Sequence, residues 1–269
     1  MDGLVRNVLS AFEGRCSAQV TFCDLSRAFD CVNHDDLLVK LQHYGFRNTP
    51  LNFFCSFLKG RRQRVCLDGV WSEEAISEYG VPQGSVLGPL LFLLSINDLP
   101  YSVQATTLLY ADDTTFVNVS NNLEELKILT KNTLEDASKW FNDNGFFLNS
   151  SKTQNITFSL KPEIQVSNDT NQSKFLGIIV DDRLTWGPHV DYLSGRLSRV
   201  VFLLRRLTGC VPGNYLRSAY FAYFQSVCRY GLIIWGNCSR IQDILIIQKK
   251  AIRFITNSKP LDHCKPLFI

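Results

Sequence analysis

No two of the nine cysteines stand in a CxxC spacing, and no apolar run is long enough to cross a bilayer. The cysteine count is odd, and several cysteines sit inside apolar runs, so they read as buried free thiols in a reducing compartment. A set made of Cys228, Cys238, His263 and Cys264 matches no standard zinc spacing. The longest apolar run, "VLGPLLFLLSI" (86–96), is short for a membrane span and contains Gly and Pro. The amino terminus, "MDGLVRNVLS", lacks the basic-then-apolar layout of a secretory signal. Neither a low-complexity tract nor a repeat of 20–50 residues occurs, which argues against disorder and solenoids. These absences predict a soluble intracellular protein with no membrane partner.

What is present is enough for a sizeable core: 269 residues, 45% of them hydrophobic. The net charge of +3 hides an asymmetry. Residues 183–269 hold 13 Lys/Arg against 3 Asp/Glu, a net of +10, and residues 1–182 hold 15 against 22, a net of −7. A basic last third beside an acidic first part suggests a polyanion partner for the former, chance and solubility being the plainer account.

Local signals give an order of elements. "AQVTFCD" (18–24) is β-prone and ends in Asp24. A helix over 33–45 comes next, with Asn33 as its cap, Asp35 and Asp36 at its positive end and Gly45 at its stop. Asp68-Gly69 marks a hairpin. The stretch 79–98 opens as a Gly/Pro loop and continues as a helix apolar on every side, hence buried. A strand-turn-strand around Asp112 precedes a long helix from about Leu123 to Asn144, with Asn121 and Glu124 as a capping box. "NITFS" (155–159) is another strand. The order β, α, then α, β, β, α, β fits an α+β fold of the split βαβ, ferredoxin-like kind. After 182 the chain turns helical. Val190, Leu193, Leu197, Val200, Leu204 and Leu207 form one apolar stripe, and Arg196, Arg199 and Arg206 fall opposite.

In that arrangement the first strand neighbours the central hairpin, so Asp24 and Asp112, 88 positions apart, converge. Two adjacent acids at the turn of "LLYADDTTF" (108–116) are unusual, because tight turns favour Gly and Asn. A solvated surface hairpin is one reading. The other is a divalent cation, whose charge cancels the repulsion. Nucleotidyl transfer has that requirement: charge develops on entering and leaving oxygens, and two Mg²⁺ ions about 3.5–4 Å apart stabilise both.

The residues resemble reverse transcriptases of non-LTR (LINE-type) retrotransposons, most closely the Jockey group. "FCDLSRAFDCVNH" resembles the first catalytic block, "YGVPQGSVLGPLLFLLSINDLP" the nucleotide-binding block and "LLYADDTTF" the catalytic hairpin. "NSSKT" and "FLGIIVD" are similar to the two later palm blocks, and "TWGPHV", "YGLIIWG" and "IQKKAIRFIT" to the thumb and the segment after it. The resemblance implies a polymerase palm with a remnant of fingers over 1–182 and a mainly helical thumb with the segment after it over 183–269. It implies RNA template, DNA primer and dNTPs as partners, two Mg²⁺ (or Mn²⁺) as cofactors, and the nucleus as compartment, the cytoplasm being the alternative. Asp24, Asp112 and Asp113 become catalytic metal ligands, with the Leu25 carbonyl as an extra one. Phe29 lies against the sugar and excludes a 2′-hydroxyl. Gln83 and Gly84 contact the incoming nucleotide, Lys152 stands near the departing pyrophosphate, and Phe175, Leu176 and Gly177 hold the primer. Arg196, Arg199 and Arg206 meet nucleic-acid phosphates, and Asp30 makes a structural hydrogen bond or salt bridge rather than binding metal. Fewer residues precede Asp24 than in the family, so the sequence is expected to be a fragment. The alternative function is accordingly a catalytically silent remnant that only binds nucleic acid.

Overall fold

The computed structural model describes residues 1–161, 170–259 and 262–268. The chain divides into two compact units, Arg6–Asp169 and Met1–Val5 together with Thr170–Ile269. Helix and sheet are mixed in the first, as the α+β expectation requires, and the second is mostly helical. The sequence-drawn division at 182 lies further along. The composition changes there, whereas the hairpin just before it groups with the helices after it.

Helix α1 (Asp2–Glu13) is divided between the units after Val5, and the first unit continues with β1 (Ser17–Cys23), α2 (His34–His43), α3 (Asn48–Leu58) and four two-residue strands. These are β2 (Arg62–Gln63), β3 (Cys66–Leu67), β4 (Val70–Trp71) and β5 (Ala75–Ile76). Then come α4 (Leu87–Ile96), β6 (Thr106–Tyr110), β7 (Asp113–Ser120), α5 (Leu123–Asp143) and β8 (Gln154–Phe158). Strands β6, β7, β1 and β8 form one antiparallel sheet in that order, so the first strand lies between the central hairpin and the last strand. One sheet face is apolar and buried: Ala18, Val20, Val117, Ile156 and Phe158. The other sets the buried Phe116 and Cys23 beside polar residues that are stitched together. Thr21 Oγ1 donates to Asn155 Oδ1 at 2.7 Å, and Thr133 Oγ1 of α5 donates to Asn118 Oδ1 at 3.1 Å.

Helices α2, α4 and α5 share the core that backs the strand ends, with Leu37, Leu41, Leu91, Phe92, Phe141 and Phe146 buried in it. Each such side chain contributes about 1.5–3 kcal/mol by leaving water. Asn33 caps α2 as expected, accepting from the Asp35 and Asp36 amides at 2.8 and 3.3 Å. Lys40 ties three elements together, donating to the Ser95 carbonyl, Asp98 and Asn144 at 2.7–2.8 Å. Asp68 and Gly69 turn the β3–β4 hairpin at positive φ.

Two expectations are corrected. The cap of α5 is Asn122, whose side chain accepts from the Glu124 amide at 2.9 Å, not Asn121. Helix α4 is not buried all round: Leu91, Phe92, Ser95 and Ile96 face the core, while Leu90 and Leu93 remain nearly half exposed. An all-apolar helix carries no periodic signal of which side packs.

The second unit holds β9 (Gln172–Phe175), β10 (Ile178–Asp181), α6 (Gly187–Leu207), α7 (Gly213–Ala219), a π turn at Tyr220–Gln225, α8 (Ser226–Arg229), α9 (Leu232–Trp235) and α10 (Ile241–Ile255). Strands β9 and β10 pair as a hairpin. Val190, Leu193, Leu197 and Leu204 of α6 face inward, while Arg196, Arg199 and Arg206 are exposed. Among the described residues no helix is long and apolar enough to cross a membrane. All nine cysteines are unpaired.

Candidate active site

Strand register brings the acids to one corner of the sheet. Cys23, the last residue of β1, pairs with Thr114 of β7, so one further step sets Asp24 opposite Asp113. On its other side Asp113 pairs with Tyr110 of β6, leaving Ala111 and Asp112 as the two-residue turn. Ala111 has φ +52°, where such turns favour glycine, and holding it there costs about 1–2 kcal/mol. Asp112 is exposed at the tip and Asp113 is half-buried. Burial, then the negative charge of Asp112, then that of Asp24 raise the Asp113 carboxyl above the ordinary carboxylate range. The three acids therefore share one field, and it is short of positive charge.

Lys152 supplies part of that charge. Its Nζ lies 3.2 Å from Asp24 Oδ2. The position comes from backbone lacing: the Asn149 amide donates to the Asp24 carbonyl and the Ser26 amide to the Phe147 carbonyl, both at 2.9 Å. Leu25 bridges Leu148 between them, and the Lys152 amide then turns back onto the Asn149 carbonyl at 3.1 Å. Both side chains are substantially exposed, so the pair itself stabilises the fold little.

Two loops form a second cluster on the same core. Phe29 lies in a single 3₁₀ turn, half-buried, its ring stacked on Phe92 of α4 with centroids 4.5 Å apart. The Val81 amide donates to the Phe29 carbonyl and the Gly80 amide to the Val32 carbonyl, both at 2.8 Å. Gly80 has φ +83°, and a Cβ there would lie 2.8 Å from Asp30 Cα. Gln83 Nε2 donates to Asp30 Oδ1 at 2.7 Å, so Asp30 makes a hydrogen bond that the sequence alone left without a partner. Gly84, also at φ +83°, is open on all sides. Helix α4 starts at Leu87, and Ser85 Oγ, just ahead of it, accepts from the Gly88 amide at 2.9 Å.

The other predicted residues lie in the second unit. Leu176 and Gly177 turn the β9–β10 hairpin at positive φ, and Phe175 is buried. Tyr230 Oη donates to the Leu176 carbonyl at 2.6 Å, and its ring lies against Gly177. Asp181, buried, accepts from the Thr185 and Trp186 amides and the Thr185 hydroxyl at 2.8–2.9 Å, shaping the entry to α6. Sequence reasoning missed Tyr230, Asp181 and Gly80. Only the Gly80–Gly84 loop carried a local signal.

His189 in α6 was missed too. It is 1% exposed, and burial pushes its pKa down to about 4. The unfolded imidazole takes a proton near its ordinary value of 6.5 and the folded one does not, so stability falls as pH drops through that window. The loss reaches roughly 3 kcal/mol near the lower end. Urea unfolding at pH 7 and pH 4.5 is expected to show this loss in the parent chain and a smaller one in His189→Asn. Equal acid sensitivity of the two contradicts it.

Residues 6–180 match the model of the family described as Reverse transcriptase (RNA-dependent DNA polymerase). The chain belongs to the reverse transcriptase family. A Drosophila melanogaster relative, "Probable RNA-directed DNA polymerase from transposon BS", is 32% identical over 94% of this chain and 30% of its own length. The Drosophila melanogaster protein "RNA-directed DNA polymerase from mobile element jockey" is 28% identical over 95% of this chain and 30% of its own. The chain thus spans about 30% of the length of these relatives. Among solved structures, telomerase from Candida tropicalis in complex with a fragment of telomeric RNA gives a TM-score of 0.52 at 13% identity. The match covers 96% of this chain and 47% of that one, and shows likeness of fold. Reverse transcriptases use divalent metal ions. Among the described residues no three His, Cys, Asp or Glu side chains are drawn close enough to hold a metal ion. The corner of Asp24, Asp112 and Asp113 nonetheless fits a cation chemically, because oxygen ligands and uncompensated negative charge concentrate there.

Proposed function

We propose that this chain is the polymerase core of an RNA-directed DNA polymerase from a Jockey-like non-LTR retrotransposon, extending a DNA primer on an RNA template. The observation that carries the reading is the register that sets Asp24 beside the Asp112–Asp113 turn at one corner of the sheet, where burial, then Asp112, then Asp24 raise the pKa of Asp113. On this reading residues 1–182 are a ferredoxin-like palm with a remnant of fingers, and residues 183–269 a mainly helical thumb with the segment after it. Asp24, Asp112 and Asp113, with the Leu25 carbonyl, are the ligands proposed for two Mg²⁺ ions, Mn²⁺ being the natural substitute. When bound, such ions stabilise charge on the entering and leaving oxygens of nucleotidyl transfer.

The chain's own residues bind and orient. Gln83 and Gly84 receive the incoming dNTP, the carboxamide being aimed by Asp30. Lys152 brings a cation to the side from which pyrophosphate leaves. Phe175, Leu176 and Gly177 hold the primer, and Arg196, Arg199 and Arg206 meet backbone phosphates without reading bases. The test is primer extension by the purified chain on an RNA template with dNTPs and Mg²⁺. Incorporation supports the proposal. Binding of template–primer without any incorporation overturns it for this chain and leaves the silent remnant.

Phe29 is the proposed sugar gate, and its stacking on Phe92 holds the ring in one place. Phe29→Ala is expected to lower the preference for dNTP over rNTP by on the order of tenfold in the ratio of kcat/KM values. A ratio cancels any loss of folded protein common to both substrates. An unchanged ratio removes Phe29 from this role, and with it the sequence feature that argues against an RNA-templated RNA polymerase.

A further inference from the structure

We propose that His34 is a positioning residue for sugar selection: it pins the Gly80–Val81 peptide, and that peptide fixes Phe29. The role of Phe29 rests on the polymerase reading, whereas the lock itself rests on the geometry of the two loops.

His34 is the first residue of α2, directly after the Asn33 cap. Its side chain is turned inward, 5% exposed, and Nε2 lies 2.7 Å from the Gly80 carbonyl oxygen. A carbonyl only accepts, so the ring carries a proton on Nε2 and donates it. The same peptide group is held at its other end, where the Val81 amide donates to the Phe29 carbonyl at 2.8 Å. One peptide plane is thus fixed through its oxygen and its N–H at once, by partners at the two ends of the segment 29–34.

The plane needs this second anchor because it follows a glycine. Gly80 stands at φ +83°, and a residue without Cβ lets the next peptide turn at little cost. Turning it swings the Val81 N–H away from Phe29 and takes the Gly80 oxygen from its donor. A polar group left unpaired in a buried place is costly, so the imidazole favours the observed orientation. The other straps between the loops do not act on this plane. The Gly80 amide bond to Val32 and the bridge between Asn33 and Tyr79 precede it, and the Gln83–Asp30 bond follows it.

Phe29 depends on such support. It sits in a single 3₁₀ turn, Ala28–Asp30, which has little hold of its own. Stacking on Phe92 orients the ring, and the bond from Val81 sets the backbone from which the ring projects. A gate that tells hydrogen from hydroxyl at one sugar carbon responds to a small displacement of the ring. His34 is enclosed by protein and acts through Gly80 and Val81.

The experiment compares the full ¹⁵N-labelled chain with His34→Phe, which fills the site without a donor, and His34→Gln, whose side-chain amide can stand where Nε2 stands. Exchange of the Gly80 and Val81 amides is followed at pH 7 beside that of the β1 amides, which report opening of the sheet. His34→Phe is expected to speed Val81 exchange about tenfold with β1 unchanged, and His34→Gln to return it to the parent rate. In primer extension the ratio of kcat/KM values for dNTP over rNTP is expected to fall several-fold in His34→Phe and to recover in His34→Gln. Loss of folded protein cannot mimic that rescue. Unchanged Val81 exchange in His34→Phe overturns the lock, as does equal acceleration in β1. Faster Val81 exchange with an unchanged sugar ratio overturns the link to selection. Should His34→Phe not fold, His34→Asn, polar but too short to reach Gly80, takes its place. A parent chain that extends no primer removes the sugar role together with the polymerase reading, and exchange alone then decides the lock.

Discussion

Asp112→Asn is expected to lower primer extension by on the order of a thousandfold while leaving the fold and template–primer binding intact. The side chain stands exposed at the second position of the β6–β7 turn, where an amide is as well tolerated as an acid. The hairpin itself is held by five paired positions from Thr106–Val117 to Tyr110–Asp113, none of which involves Asp112. Stability is therefore expected to move by no more than about 0.5 kcal/mol. What changes is charge. Asp112 is one of the two acids whose fields reach Asp113, and removing its charge leaves two of the three carboxylates that this corner offers a cation. Thermal unfolding and template–primer affinity measured beside the extension rate separate the cases. Wild-type extension by Asp112→Asn refutes the assignment of this carboxylate, and a large drop in unfolding temperature reassigns it to structure.

The corner was legible because each part of it is local. A β-prone run ending in Asp24 and two acids between β-prone runs need only the strand order to meet, and that order comes from β, α, then α, β, β, α, β. Asn33 and the Asp68-Gly69 turn are local in the same sense, as is the apolar stripe of α6. What stayed hidden depends on partners remote in sequence. Lys40 is one lysine in a helix until Ser95, Asp98 and Asn144 surround it. The outward side of α4 is set by which helices pack on it, not by its own pattern. His189 falls on the buried stripe that hydropathy alone would fill with leucine, and its Nδ1 contact comes from the neighbouring hairpin. The strands flanking Asp68-Gly69 pair without burying anything: Val65, Leu67, Val70 and Trp71 are all more than half exposed. Pattern matching predicts pairing from apolar residues, and here pairing and burial part company.

Gly80→Ala is expected to separate the two loops that carry Phe29 and Gln83. At φ +83° an alanine costs about 1–2 kcal/mol before any contact is counted. Its Cβ would also meet Asp30 at 2.8 Å from Cα and 2.9 Å from the carbonyl oxygen, both backbone atoms with no rotamer to turn away. Relief requires the loops to part, which breaks the bonds from Gly80 to Val32 and from Val81 to Phe29. Overpacking of this kind adds about 1–3 kcal/mol. The summed loss of about 2–5 kcal/mol lowers the unfolding temperature by roughly 10 °C for a unit of this size. Gly84→Ala is the internal control: it has the same φ of +83° but nothing within 4 Å of the added carbon, so only the backbone strain remains. The comparison isolates the steric lock from glycine's conformational freedom. Equal shifts in the two variants would mean that the close approach to Asp30 carries no energy. If Gly80→Ala is the more damaging, the KM for dNTP should rise with it, since Gln83 then loses the carboxylate that aims it.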